Sequence, residues 1–144
     1  LSILTMLNGE PPGGSSWINT APCGLMWKYL ITGGDYMSKI SPELWIYDVV
    51  VKYSPRNQQN YAQVWLWDHQ HGRTYVTYLS PDHKNWQTWQ GIIRHWQPDR
   101  VVCVTGIWRR VQGKPGVINA DALPEHLGDF DLTDWCQAVD QVWG

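Results

Sequence analysis

Val101–Leu123 reads VVCVTGIWRRVQGKPGVINADAL, and this stretch decides the fold. β-branched residues dominate its first half, so Arg100 to Val111 is predicted as a strand. Gly106 falls inside that strand and marks a bulge or tight bend, because glycine has no side chain to pack there. QGKPG, residues 112–116, is turn chemistry, and Val117 to Ala120 is a short strand beyond it. The whole reads as a hairpin whose turn carries Arg109, Arg110 and Lys114.

The segment before it changes period. Trp86, Trp89, Ile92, Ile93 and Trp96 recur at helical spacing. Ser80-Pro81-Asp82 offers that helix a start, and Pro98 stops it. Three strand signals precede the helix. Glu43 to Ser54 is β-branched and aromatic, bounded by Ser41-Pro42 and by Pro55-Arg56-Asn57. Asn60 to Asp68, NYAQVWLWD, alternates at period two. Ala62, Val64 and Leu66 share one face, and Tyr61, Gln63, Trp65 and Trp67 share the other. HQHG then suits a tight connection with Gly72 left-handed, leading into a third strand over Arg73 to Ser80.

Strand, strand, strand, helix, strand, strand resembles the OB-fold, and the last hairpin is the most suggestive piece of the likeness. The resemblance covers residues 43–123, a little over half of the chain. It implies a mainly β protein: a closed five-stranded barrel with a helix between strands three and four. It also implies ligand binding across strands two and three, flanked by the loops joining strands one to two and four to five.

The rest of the chain is read as additions to that barrel. Residues 1–42 form an N-terminal extension that packs on it, with a turn-rich break at 8–16 and a helical piece at Leu25 to Ile31 ended by Gly33-Gly34. Residues 124–144 form an acidic C-terminal helix. In it Trp135, Val139, Val142 and Trp143 recur at helical spacing from Leu132 onward, and Asp131 or Thr133 is placed to cap it. The 144 residues suffice for one domain with a real core.

Bulk numbers narrow the function. Apolar residues make up 43% and charged residues 17%, which argues against disorder. No apolar run approaches the roughly 20 residues of a membrane helix, and the first residues lack the pattern of a signal peptide. Cys23, Cys103 and Cys136 are odd in number and form no CxxC pair, which points to apolar thiols in a reducing, cytoplasmic setting. All eleven Lys and Arg lie at or before Lys114, so residues 1–120 carry +4 and residues 121–144 carry −6. The body suits phosphates, while the tail suits guarding that surface or docking a protein partner.

Eleven Trp and seven Tyr stand against a single Phe. Trp and Tyr are amphipathic rings, suited to places where one side packs and the other meets a ligand. On the OB reading Tyr61, Trp65 and Trp67 face outward on strand two. On strand three either Tyr75 with Thr77 or Tyr78 with Val76 joins them, and Tyr75 is the expected member. Lys52, Arg56, Arg73, Arg109, Arg110 and Lys114 are the expected phosphate contacts.

The function expected is single-stranded nucleic-acid binding, DNA rather than RNA, by base stacking with cations along the backbone. The alternatives are a protein-interaction or assembly module whose Trp-rich face a partner buries, and a carbohydrate-binding module. The test between the first two is whether the Tyr61-Trp65-Trp67 surface is open. No catalytic, phosphate-loop or dinucleotide motif occurs, so no enzyme, cofactor or metal is expected. His69 and His71 are read as turn residues.

Overall fold

The computed structural model describes residues 39–144. The helical piece expected at Leu25 to Ile31 and most of the extension fall outside them. The described chain is mainly β, in the order β1 (Glu43–Ser54), β2 (Gln59–Asp68), β3 (Arg73–Leu79), α1 (Trp86–Ile93), β4 (Arg100–Thr105), β5 (Trp108–Arg110), β6 (Ile118–Ala120), β7 (Glu125–Asp131) and α2 (Leu132–Trp143). Five strands form one antiparallel sheet, β3-β2-β1-β4-β7, and β5 and β6 form a separate pair.

β1 is the spine of the sheet. It pairs with β2 along its length and with β4 through Glu43–Ile46. A bulge between Ile46 and Asp48 turns Tyr47 and Asp48 to the same side, so one strand serves two neighbours with different twist. Gly106 sits at the predicted break: β4 ends at Thr105, β5 starts at Trp108, and the Gly106 N–H donates to the carbonyl of Pro42 at 2.9 Å. A side chain at Gly106 would meet the Trp108 ring at 3.2 Å, a tight contact that the ring would have to ease by a few tenths of an ångström.

The expected closed barrel is not what forms. Between β3 and the β5–β6 hairpin the described backbone makes a single parallel bridge, Val76 to Val117, and one backbone hydrogen bond, from the Val76 N–H to the Gly116 carbonyl at 2.8 Å. The chemistry of the QGKPG turn accounts for the missing ladder. Pro115 has no N–H to give, and Gly113 and Gly116, both at φ +77°, turn the chain out of extended geometry.

Two apolar cores flank the sheet. The inner one sets Leu44, Ile46, Val64 and Leu66 against Trp86, Trp89, Ile92 and Ile93 of α1, with Ile118 and Ala120 of β6. The outer one sets Tyr47, Val50, Trp65, Trp67, Val76 and Val101 against Trp135 and Val139 of α2. Strand two therefore alternates as predicted, but both its faces are covered from Ala62 to Asp68.

Three further expectations are corrected. The tail is not helical from residue 124: Glu125–Asp131 is the edge strand β7, paired with β4, and α2 begins only at Leu132. Asp131 caps α2 as expected, its carboxylate accepting from the Asp134 N–H at 3.1 Å. α1 does not start at Ser80-Pro81-Asp82. The Asp82 carboxylate instead accepts from Gln59 Nε2 at 2.8 Å, and the helix follows Asn85, which lends it no side-chain cap. Finally, Cys136 is disulfide-bonded, which removes the cysteine argument for a reducing compartment, whereas Cys103 is free and buried. Burial pushes the Cys103 thiol up to about 12, so it stays protonated and unreactive.

Candidate ligand groove

α2 decides which part of the outer face stays open. Its residues Trp135, Val139 and Trp143 lie over the Trp67 end of β2 and β3 and leave the Tyr61 end uncovered. Trp65 is 5% exposed and Trp67 fully buried, so neither ring is available for stacking. The expectation that they form a working surface fails for a plain reason: two adjacent outward indoles are a large apolar area, and the chain buries them against its own last helix.

Register settles the strand-three residue. Trp67 pairs with Thr74, Trp65 with Val76 and Gln63 with Tyr78, which puts Tyr78 on the outer face. Tyr75, opposite Leu66, belongs to the inner core. There its hydroxyl accepts from Arg110 Nη2 at 3.2 Å, and the guanidinium carbon lies 5.4 Å from the ring centroid. Burial raises the Tyr75 pKa above its usual value, partly opposed by that guanidinium. Tyr75 and Arg110 thus hold each other and leave the site.

What remains is a groove of about 490 Å³ beside the Tyr61 end of the sheet. Tyr61 and Tyr78 form its aromatic wall, with ring centroids 6.1 Å apart and planes tilted by 59°. Tyr78 is 42% exposed. Ser54, Asn57 and Gln59 from the β1–β2 connection line one side; Leu79 and Ser80 from the end of β3, with Lys114 from the β5–β6 turn, line the other. Gln58 takes a left-handed φ of 54° in that connection, which keeps the turn tight and holds Asn57 and Gln59 toward the groove. Lys52 pairs with Tyr61 across the ladder and so shares its face.

Of the ten residues expected from sequence, Tyr61 and Lys114 line the groove, Lys52 neighbours Tyr61 across the ladder, and Arg56 is exposed on the adjoining turn. Arg73 starts β3 at the far end, opposite Asp68. Arg109 is exposed and bonds through Nε to Asp121 Oδ1 at 3.1 Å. Of the other lining residues, Tyr78 is the alternative that the sequence leaves open beside Tyr75, and no sequence signal singles out Asn57, Gln59 or Ser80. The turn histidines are engaged locally: His69 Nδ1 accepts from the Trp67 indole N–H at 3.2 Å, and His71 Nδ1 lies 2.9 Å from Asp68 Oδ2.

The described lining offers two aromatic faces, several amide and hydroxyl groups and the Lys114 ammonium. Searches of protein-family models, of curated proteins and of solved structures find nothing that matches this chain.

Proposed function

We propose that residues 43–123 form an OB-like, incompletely closed barrel that binds a short single-stranded nucleic-acid segment, DNA in preference to RNA, in the Tyr61–Tyr78 groove. The barrel reading rests on the path of the chain. β1, β2 and β3 run in sequence, Val117 bridges Val76 in parallel, and β5 with β6 leads back through Gly106 to β4 beside β1. The observation that carries the ligand reading is the position of the tyrosine pair. It lies between the β1–β2 and β5–β6 turns, where an OB barrel takes its ligand.

Stacking on such a ring is worth about 1–3 kcal/mol per base. With two rings and few cations converging, affinity is modest and its salt dependence shallow. The test is fluorescence anisotropy of end-labelled single-stranded DNA, single-stranded RNA and duplex at low and near-physiological salt, with Tyr61→Ala/Tyr78→Ala and Lys114→Ala beside the native chain. Single-strand binding that weakens in both variants supports the reading. Equal binding by all three proteins, or none by any, sinks it.

A separate observation favours a second reading, a protein-interaction module. A pocket of about 210 Å³ at the α2 edge is lined by Trp45, Phe130 and Trp135 with Asp131 and Asp134 at its rim. Trp45 and Phe130 meet edge to face at 4.8 Å, and Trp135 stacks on Tyr47 at 5.8 Å. Aromatic faces beside carboxylates suit an Arg or Lys side chain from a partner.

A further inference from the structure

His95, His126 and Asp129 come from two segments remote in sequence and meet on the inner side of the edge strand. His126 Nε2 lies 2.6 Å from Asp129 Oδ1, and His95 Nδ1 lies 3.3 Å from Asp129 Oδ2. The two imidazoles are stacked, centroids 4.1 Å apart and planes within 13°. One potential donor atom from each residue falls within 4.8 Å of the other two.

A strand defect makes the meeting possible. Residues three apart on a regular strand point to opposite faces. In β7, Gly128 pairs with Cys103 while His126 pairs with Val104, so Leu127 is an extra residue in the ladder. That bulge restores His126 to the side of Asp129, and both then face the side of Val102 and Val104, where α1 packs. His95, two residues beyond α1, reaches the pair from that same side.

We infer that His95, His126 and Asp129 form a surface site for a divalent transition-metal ion, with zinc the first expected occupant. Two neutral imidazole nitrogens and one carboxylate are the donor set that zinc takes readily, and copper and nickel share the preference. Zinc bonds of about 2.0–2.2 Å place tetrahedral ligands about 3.3 Å apart, so donor atoms that now lie within 4.8 Å of one another close in as the two stacked rings tilt toward a common point. All three side chains reach solvent, which leaves the fourth position to water or to a group from a partner. The ion pins the edge strand β7 to the end of α1. Arg100, whose Nη1 lies 3.8 Å from Asp129 Oδ2, is a cation beside the site and opposes the metal.

The test is isothermal titration of zinc chloride into the untagged full chain, with cobalt(II) absorption as a second readout. The native protein is expected to bind one zinc. His126→Ala and Asp129→Asn, which hollow out no core, are expected to bind it at least about tenfold more weakly and to lose the cobalt d–d bands. His83→Ala serves as the control and leaves both unchanged, and Arg100→Gln, which keeps the ligands and removes the opposing charge, tightens binding. The inference is overturned if the native chain takes up no zinc, or if His126→Ala and Asp129→Asn bind it as the native chain does. Retained secondary structure in each variant, read by circular dichroism, separates lost binding from lost folding.

Discussion

The Trp143 indole N–H donates to the backbone carbonyl of His69 at 2.9 Å, and the Trp143 ring lies where a side chain at Gly72 would stand. The last tryptophan of the chain therefore locks α2 onto the tip of the β2–β3 hairpin, and Gly72 serves two purposes. It takes φ of 64° and leaves room for the ring, to which an added Cβ would come within 2.6 Å.

Gly72→Ala is expected to destabilise the fold by about 2–4 kcal/mol, from the left-handed backbone and the clash together. Because the clash needs the indole, the same substitution in a Trp143→Ala background should cost about 1 kcal/mol less or better. Urea denaturation of the four proteins reads the coupling; additive effects would place Trp143 elsewhere in solution.

Trp67→Ala is expected to cost about 3–5 kcal/mol, the usual range for removing a fully buried large ring. Trp65→Ala should fall in the same range. Small domains have only about 5–15 kcal/mol in hand, so the double variant should be close to unfolded. The check is the shift of the urea midpoint. A double variant as stable as the native chain would mean that α2 does not cover this face.

Asp48 gives a pH signature. Burial raises its carboxyl to about 6, partly offset by a hydrogen bond from the Val49 backbone, and its Oδ2 finds no hydrogen-bond partner among the described residues. A carboxyl raised on folding holds its proton longer in the native state than in the unfolded one. Its contribution to stability is thus present below about pH 4 and lost as pH rises to about 6 and beyond. Asp48→Asn should stabilise by about 1–3 kcal/mol at pH 7.5 and change little at pH 3.5. Denaturation at the two pH values checks the sign; equal shifts would contradict the burial argument.

Arg109 and Lys114 separate the expected cations from the placed one. Arg109 is turned to Asp121 in an exposed pair of the kind worth about 0–1 kcal/mol, and Lys114 lines the groove. Arg109→Ala should leave single-strand affinity within about twofold, while Lys114→Ala should lower it and flatten its salt dependence. The reverse order in anisotropy titrations would move the site to the other side of the β5–β6 turn.

How far the sequence could be read depended on whether a signal was local. α2 was legible from Leu132 to Trp143 because Trp135, Val139 and Trp143 repeat at one helical face and Asp131 caps it. The alternation of β2 was equally plain, since a strand face is set by parity alone. What covers a face is not a local property. The burial of Trp65 and Trp67 depends on a helix some 70 residues away, and the choice of Tyr78 over Tyr75 on a register fixed by the turn at Gly72. β7 was illegible for another reason. EHLGDFD has no apolar alternation, because six of its seven residues are exposed on an edge strand whose charges guard it against pairing with another chain. Its bulge, and with it the meeting of His126 and Asp129, is invisible in a string of residues.

The burial of the indoles has a spectroscopic consequence. Trp65, Trp67 and Trp135 lie at the α2 contact, Trp86, Trp89 and Trp96 lie around α1, and none of the described tryptophans lines the tyrosine groove. Intrinsic emission is thus a gauge of whether α2 stays seated. A red shift reports water reaching the sheet, and a ligand lying along Tyr61 and Tyr78 is nearly dark to it. The described indoles would stay silent in such a titration even at saturation.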